Sequence, residues 1–226
     1  MIADITQRAM RGVQRRVADD SPAHVKAFMA TETVRAKIRL AGRLDVLAQP
    51  GRSLLPGELR RFAHAEAPST LDASQMVAAC AIAGTDGLVT VTGPAGAGKT
   101  TMLRAAFTAL TTQRRRLLVV APTRKAASVA SREVGAAASS LHALLADHGY
   151  RWGCDEAGAM VWTRLGAGDV DPATGAVYAG PSRYVLAHGD RIVVDEAGMV
   201  DLQTANVLAE LAIEQGVGVA FVGDTH

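Results

Sequence analysis

At 226 residues the chain can hold one large or two small domains and bury a real core. Hydrophobic residues make up 49% of it and charged ones 20%, which excludes a disordered polar chain, and no apolar run reaches the ~18–20 residues of a membrane span. The net charge of +2 commits to no class of partner, and Cys80 and Cys154 stand apart without a Cys-x-x-Cys pair or Cys/His cluster, so two incidental thiols are expected rather than a disulfide or metal site.

Taken in chain order, residues 1–70 read as a helical N-terminal segment without a chemical motif. Ile2, Ile5, Ala9, Val13 and Val17 form an apolar stripe at helical spacing, with Arg8, Arg11, Arg15 and Arg16 mostly off it. Ser21-Pro22 is a start signal for a second helix, which runs to about Gln49 and stops at Pro50-Gly51. A shorter helix follows Pro56, and Pro68-Ser69-Thr70 marks a boundary. The segment carries 12 Lys/Arg against 7 Asp/Glu, which suits either a solvated helical surface or an arm that touches phosphates. Its first residues lack the apolar core of a signal peptide, which makes the cytoplasm the expected compartment.

From Leu71 the pattern changes. A helix over about 72–84 leads to a strand at 88–92 and a helix at 99–111; a strand at 117–121 leads to a helix at about 123–135. Residues 139–147 are short and mixed. Residues about 150–186, rich in Gly, Asp, Pro and aromatics, read as an irregular hairpin-like insertion. A strand at 191–195, a helix at 203–215 and a strand at 217–222 follow. Strands alternating with helices imply an α/β fold with a parallel sheet covered on both faces, one domain over 71–226.

Two motifs on this frame carry most of the chemistry. Gly93-Pro94-Ala95-Gly96-Ala97-Gly98-Lys99-Thr100 fits G-x-x-x-x-G-K-[ST], the phosphate-binding loop, with a strand before it and a helix after. The glycines let backbone N–H groups wrap a triphosphate, and the helix N-terminus favours the anion. Lys99 is placed to reach the β/γ-phosphates of ATP and the Thr100 hydroxyl to ligate Mg²⁺. Ile192-Val193-Val194-Asp195-Glu196 is an apolar strand ending in two acids, the Walker B arrangement. Asp195 is expected to hold the Mg²⁺ shell and Glu196 to orient and deprotonate the attacking water, a pairing that favours hydrolysis over transfer to another acceptor.

Weaker signals leave alternatives open. In Ala121-Pro122-Thr123-Arg124-Lys125, a strand gives way to a helix whose first turn could meet a phosphodiester or could be a capped, solvated basic turn. Asp224, in Gly223-Asp224, could stand beside a γ-phosphate or in an ordinary strand-end turn. The Gln75 amide could read an adenine edge or lie on the surface. Ser139-Ser140-Leu141-His142 offers a DNA contact or a helix start.

Together, and in this order, the motifs resemble superfamily 1 DNA helicases of the RecD-like branch, above all the helicase part of conjugative relaxase–helicases of the TraA/TrwC type. The resemblance covers about 71–226: the Gln75 segment, Gly93–Thr101, Ala121–Ala127, Ser140-Leu141-His142, Val194–Asp201, Gly223-Asp224, and the insertion with Trp152 and Trp162-Thr163-Arg164-Leu165. It implies a RecA-like first motor domain binding ATP, Mg²⁺ and single-stranded DNA. It adds Thr101 to the nucleotide loop, makes Gln75 an adenine contact, and makes Thr123, Arg124 and His142 candidate DNA contacts. The family's next motif continues Gly-Asp-x-x-Gln, and the sequence stops at His226 before that glutamine. The relaxase part and the second motor domain, with its transition-state arginine, are likewise not represented, so the chain reads as a fragment that is inactive or very weak alone unless a second motor domain is supplied in trans. A nucleotide-binding module with little turnover, and a P-loop ATPase of another recombination or repair branch, remain as alternatives.

Overall fold

The computed structural model describes residues 13–15, 28–63, 71–94, 96–154 and 160–224. Five strands, β3 (Leu88–Thr92), β4 (Leu117–Ala121), β5 (Ala137–Ser140), β8 (Arg191–Val194) and β9 (Gly218–Gly223), form one sheet in the order β3-β9-β8-β4-β5. Every pairing in it is parallel. The central strands Leu-Leu-Val-Val-Ala and Arg-Ile-Val-Val are buried along their whole length. That is why they read as continuous apolar runs rather than alternating ones.

Alternate strand residues feed two cores. Val119, Val193, Ala220 and Val222 pack with Leu59, Ile82, Met102 and Leu110 from α2 (Pro56–Ala63), α3 (Ala73–Ala83) and α4 (Lys99–Thr112). Val120, Ile192, Val194 and Val219 pack on the other face with Leu47, Leu144, Leu208 and Leu211. Those four come from α1 (Thr31–Leu47), α6 (Leu141–Asp147) and α7 (Leu202–Gln215). The remaining helix, α5 (Arg124–Val134), lies on the first face through Ala130 and Val134.

Helix ends carry sequence-coded caps. Asp72 and Gln75 form a reciprocal capping box on α3. Asp201 accepts from the N–H groups of Gln203 and Thr204 at the start of α7.

The N-terminal part differs from the expected run of helices. Val13–Arg15 (β1) and Phe28–Ala30 (β2) pair as antiparallel strands, so the expected stripe is extended at Val13, and the helix proper starts at Thr31 rather than near Ser21-Pro22. Three extended residues fit a helical stripe as readily as a strand, because periodicity needs a longer window to discriminate. The rest of that stripe, Ser21-Pro22 and Pro68-Ser69-Thr70 lie outside the described residues. α1 and α2 are layers of the same body as the sheet. Arg43 on α1 donates to the Asn206 carbonyl and pairs with Glu210 on α7, Asn206 Nδ2 donates to the Ala36 carbonyl at 2.9 Å, and the Thr112 hydroxyl reaches the Phe62 carbonyl at 2.8 Å.

The insertion contains an antiparallel hairpin, β6 (Tyr150–Cys154) with β7 (Met160–Arg164), which faces Trp152 to Trp162. The irregular stretch after it is tied back by one carboxylate. Asp147 accepts the backbone N–H groups of Ser182, Arg183 and Tyr184 at 3.3, 3.0 and 2.7 Å.

Candidate functional site

Because the sheet is parallel, every strand delivers its following loop to the same edge. Thr92 lies opposite Gly223, and Val194 lies between Val120 and Phe221. Two backbone bonds continue the ladder into the loops: Gly93 N–H to the Gly223 carbonyl at 3.2 Å, and Asp195 N–H to the Val120 carbonyl at 2.8 Å. Register thus places the loop after β3, Asp224 after β9 and Asp195 after β8 side by side.

The loop turns through two left-handed glycines, Gly96 at φ 77° and Gly98 at φ 74°. Open space surrounds Gly96, whereas a Cβ at Gly98 would sit 2.3 Å from Gln75 Nε2. Ala97 N–H closes a turn onto the Pro94 carbonyl at 3.1 Å, and Ala95 lies outside the described residues. Gln75 spends both ends of its amide on protein: Nε2 donates to the Ala97 carbonyl at 2.8 Å, and Oε1 accepts from Asp72 N–H at 3.0 Å. It therefore braces the loop from behind in this state.

Lys99 folds back over the loop, donating to the carbonyls of Gly93 and Pro94 at 3.1 and 3.4 Å and pairing with Asp224. The Thr100 hydroxyl, one residue on, donates to the carboxylate of Glu133 on α5 at 3.1 Å. Thr101 is half-buried on the same turn.

Asp195 is partly buried, and burial holds its carboxyl above the usual carboxylate range. The charges of Asp224 and Glu133 push the same way, while the Glu196 N–H and Lys99 pull it back. Glu196 is exposed and sits in the left-handed region at φ 54°, a strained backbone for a residue with a side chain.

Lys99, Thr100, Lys125, Glu133, Asp195 and Glu196 line one cavity of about 470 Å³, with Thr123 at its margin. The Thr123 side chain also caps α5 through Ala126 N–H at 3.2 Å. The other two candidate DNA contacts lie outside that cavity. Arg124 lines a neighbouring groove with Ser128, Ser131, Ser140 and Arg183. His142 is exposed on α6, its ring 5.3 Å from that of Trp162 and 6.3 Å from that of Trp152. Glu133 was not legible as a site residue: it is 33 residues from Thr100, and only the packing of α5 on α4 brings it there.

The donor set fits a magnesium-bound triphosphate. A flexible ammonium, a hydroxyl and a carboxylate converge on a loop whose Gly96 leaves room, and a polyphosphate–Mg²⁺ needs only one or two protein ligands. No three His, Cys, Asp or Glu side chains form a ready metal cage among the described residues, and no helix there is long and apolar enough to cross a membrane.

A family model described as an AAA domain matches residues 70–226. No curated protein matches the chain.

Proposed function

The chain belongs to the AAA-domain family, as a nucleotide-binding P-loop domain of the helicase type, and from that premise we propose that it is the first motor domain of an ATP-dependent DNA helicase, of the conjugative relaxase–helicase type its motif order resembles. The observation that carries the reading is the pairing of Lys99 with Asp224 and of Thr100 with Glu133 around one cavity that also holds Asp195 and Glu196.

Each of these contacts occupies a group that nucleotide would engage. Lys99 exchanges Asp224 and two carbonyls for β/γ-phosphate oxygens, and Asp224, released, faces the terminal phosphate. Thr100, freed from Glu133, would be a ligand for Mg²⁺, and Asp195 would hold the metal's water shell. The metal would supply neutralisation of phosphate charge there. Glu196, exposed and aimed by its left-handed backbone, takes the proton of the attacking water. Gln75 keeps the loop in shape through Ala97, and an adenine contact would require it to give up one end of its amide. Single-stranded DNA is assigned to the Thr123, Arg124 and His142 side of the edge.

Among the described residues, the cations lining the cavity are Lys99 and Lys125, with no arginine. A missing arginine at a phosphoryl-transfer site costs ~10³–10⁵ in rate, so this chain by itself binds ATP–Mg²⁺ and turns it over slowly, and a second motor domain in trans completes it. ATP turnover with and without single-stranded DNA, with Lys99→Ala as control, tests this. Slow turnover abolished by Lys99→Ala is expected. Turnover untouched by that substitution, in a chain shown to be folded, would overturn the assignment of the site.

A further inference from the structure

The opposite edge of the sheet holds a second cavity, of about 600 Å³, between the end of α1, the turn at residues 84–87, the start of β8 and the end of α7. Its lining includes two arginines, Arg115 and Arg191, and His188, and among the described residues not one carboxylate. Arg191 has no exposed surface, and its guanidinium lies against Gly218, where a Cβ would be 2.3 Å from Nη1. Nη2 donates to the Gly84 carbonyl at 3.0 Å, while Nε and Nη1 have no hydrogen-bond partner. Burial and the neighbouring Arg115 charge depress this guanidinium to about 10.

A buried cation with open N–H groups is among the costliest arrangements a fold can keep. The Asp86 charge relieves it only in part, and no described carboxylate hydrogen-bonds to it. Asp190 is taken by Arg116 and by Ala187 N–H, and Asp86 accepts from the Ser53 hydroxyl. Arg115 spends Nε on the Gly189 carbonyl and Nη1 on those of Ala83 and Gly84. Its Nη2 makes no hydrogen bond to a described residue, and His188 is exposed at the rim.

We propose that this cavity is a binding site for a small oxyanion, a free phosphate or the phosphate group of a small organic ester, held by Arg115, Arg191 and His188. Arg191 Nε and Nη1 are unspent donors of the kind a guanidinium offers an oxyanion, Arg115 and His188 line the same cavity, and the apolar walls at Val46, Leu47 and Ile213 lower the local dielectric. Arg191 is fully covered, so an anion can reach its guanidinium only if the cover over it opens. Occupancy would pin α1, the 84–87 turn and α7 together, away from the loop at Gly93–Thr100 and independently of the nucleotide reading.

The test is calorimetric titration of inorganic phosphate into the full chain saturated with a non-hydrolysable ATP analogue and Mg²⁺, so that the phosphate loop is filled. One phosphate per chain is expected, weakened about tenfold or more by Arg191→Met or Arg115→Gln. Glycerol phosphate in a parallel titration separates the sources: tighter binding than phosphate assigns the site to an organic ester, equal or weaker binding to the free ion. No binding, or binding that both arginine variants leave unchanged, overturns the proposal. Should both arginine variants fail to fold, amide exchange on the unmodified chain decides, with phosphate-dependent protection at 84–87 and 188–191 supporting the site and protection confined to 93–100 overturning it.

Discussion

The two edges of the sheet handle charge in opposite ways. At the carboxyl edge, ionised and polar groups lie close together and satisfy one another: Lys99 with Asp224, Thr100 with Glu133, Asp195 with the Glu196 N–H. At the amino edge, Asp190 is buried and fully engaged by Arg116 and two backbone N–H groups, yet Arg191 beside it is buried with two nitrogens unmatched. Partners that can be exchanged for a ligand make a site that opens and closes. A buried cation with two of its nitrogens unpartnered makes a site that a ligand would complete. Function at the first edge should therefore separate from stability, and at the second the two should be coupled.

Four substitutions break or sharpen that contrast, from the largest effect down. Glu196→Gln should lower ATP turnover by roughly 10²–10⁴ while ATP affinity and melting temperature stay near those of the parent, read by steady-state kinetics and thermal melts. A parallel drop in stability would erase the distinction between the edges. Asp190→Ala strips the N–H groups of Arg116 and Ala187 and the Arg116 guanidinium of their acceptor, and should cost about 3 kcal/mol in denaturant unfolding with little change in ATP affinity.

Arg191→Met should act in the other direction. Replacing an unmatched cation with an apolar side chain of similar reach should raise phosphate-free stability by about 1–2 kcal/mol, seen as a higher denaturant midpoint. The smallest effect belongs to Asp195→Asn. The folded chain keeps the Asp195 proton at pH values where the unfolded chain has released it, so this group favours folding at low pH and loses that contribution as pH rises through its raised titration. In melts without ligand, Asp195→Asn should therefore gain on the parent from about pH 4 upward, levelling off once the folded carboxyl has also ionised. With ATP–Mg²⁺ present the order should reverse, because the metal rewards the ionised carboxylate.

Much of this was legible beforehand. β4 and β8 announce themselves as aliphatic runs because both of their faces are covered. The glycine pattern before Lys99 and the acids after Val194 mark the site, since the backbone and charge demands of a phosphate loop are local. The pairing of Val13–Arg15 with Phe28–Ala30 was not legible, being too short for any period. Glu133 was hidden in an amphipathic helix, as its role comes from which helix lies alongside. Arg191 looked like the first residue of a strand, and only burial reveals that its charge is stranded. Gln75 was noticed for its amide, while the Asp72-x-x-Gln75 spacing also spelled the capping box that fixes its place behind the loop.

The parallel register also makes the carboxyl edge a ruler. Strand axes lie about 4.8 Å apart, so the four intervals from β3 to β5 set the loop at Gly93 and the start of α6 near His142 about 19 Å from each other. No single side chain spans that distance. Any signal between a ligand near His142 and a nucleotide on Lys99 has to pass in steps, through the loops carrying Thr123, Asp195 and Asp224 that mark the intervening graduations.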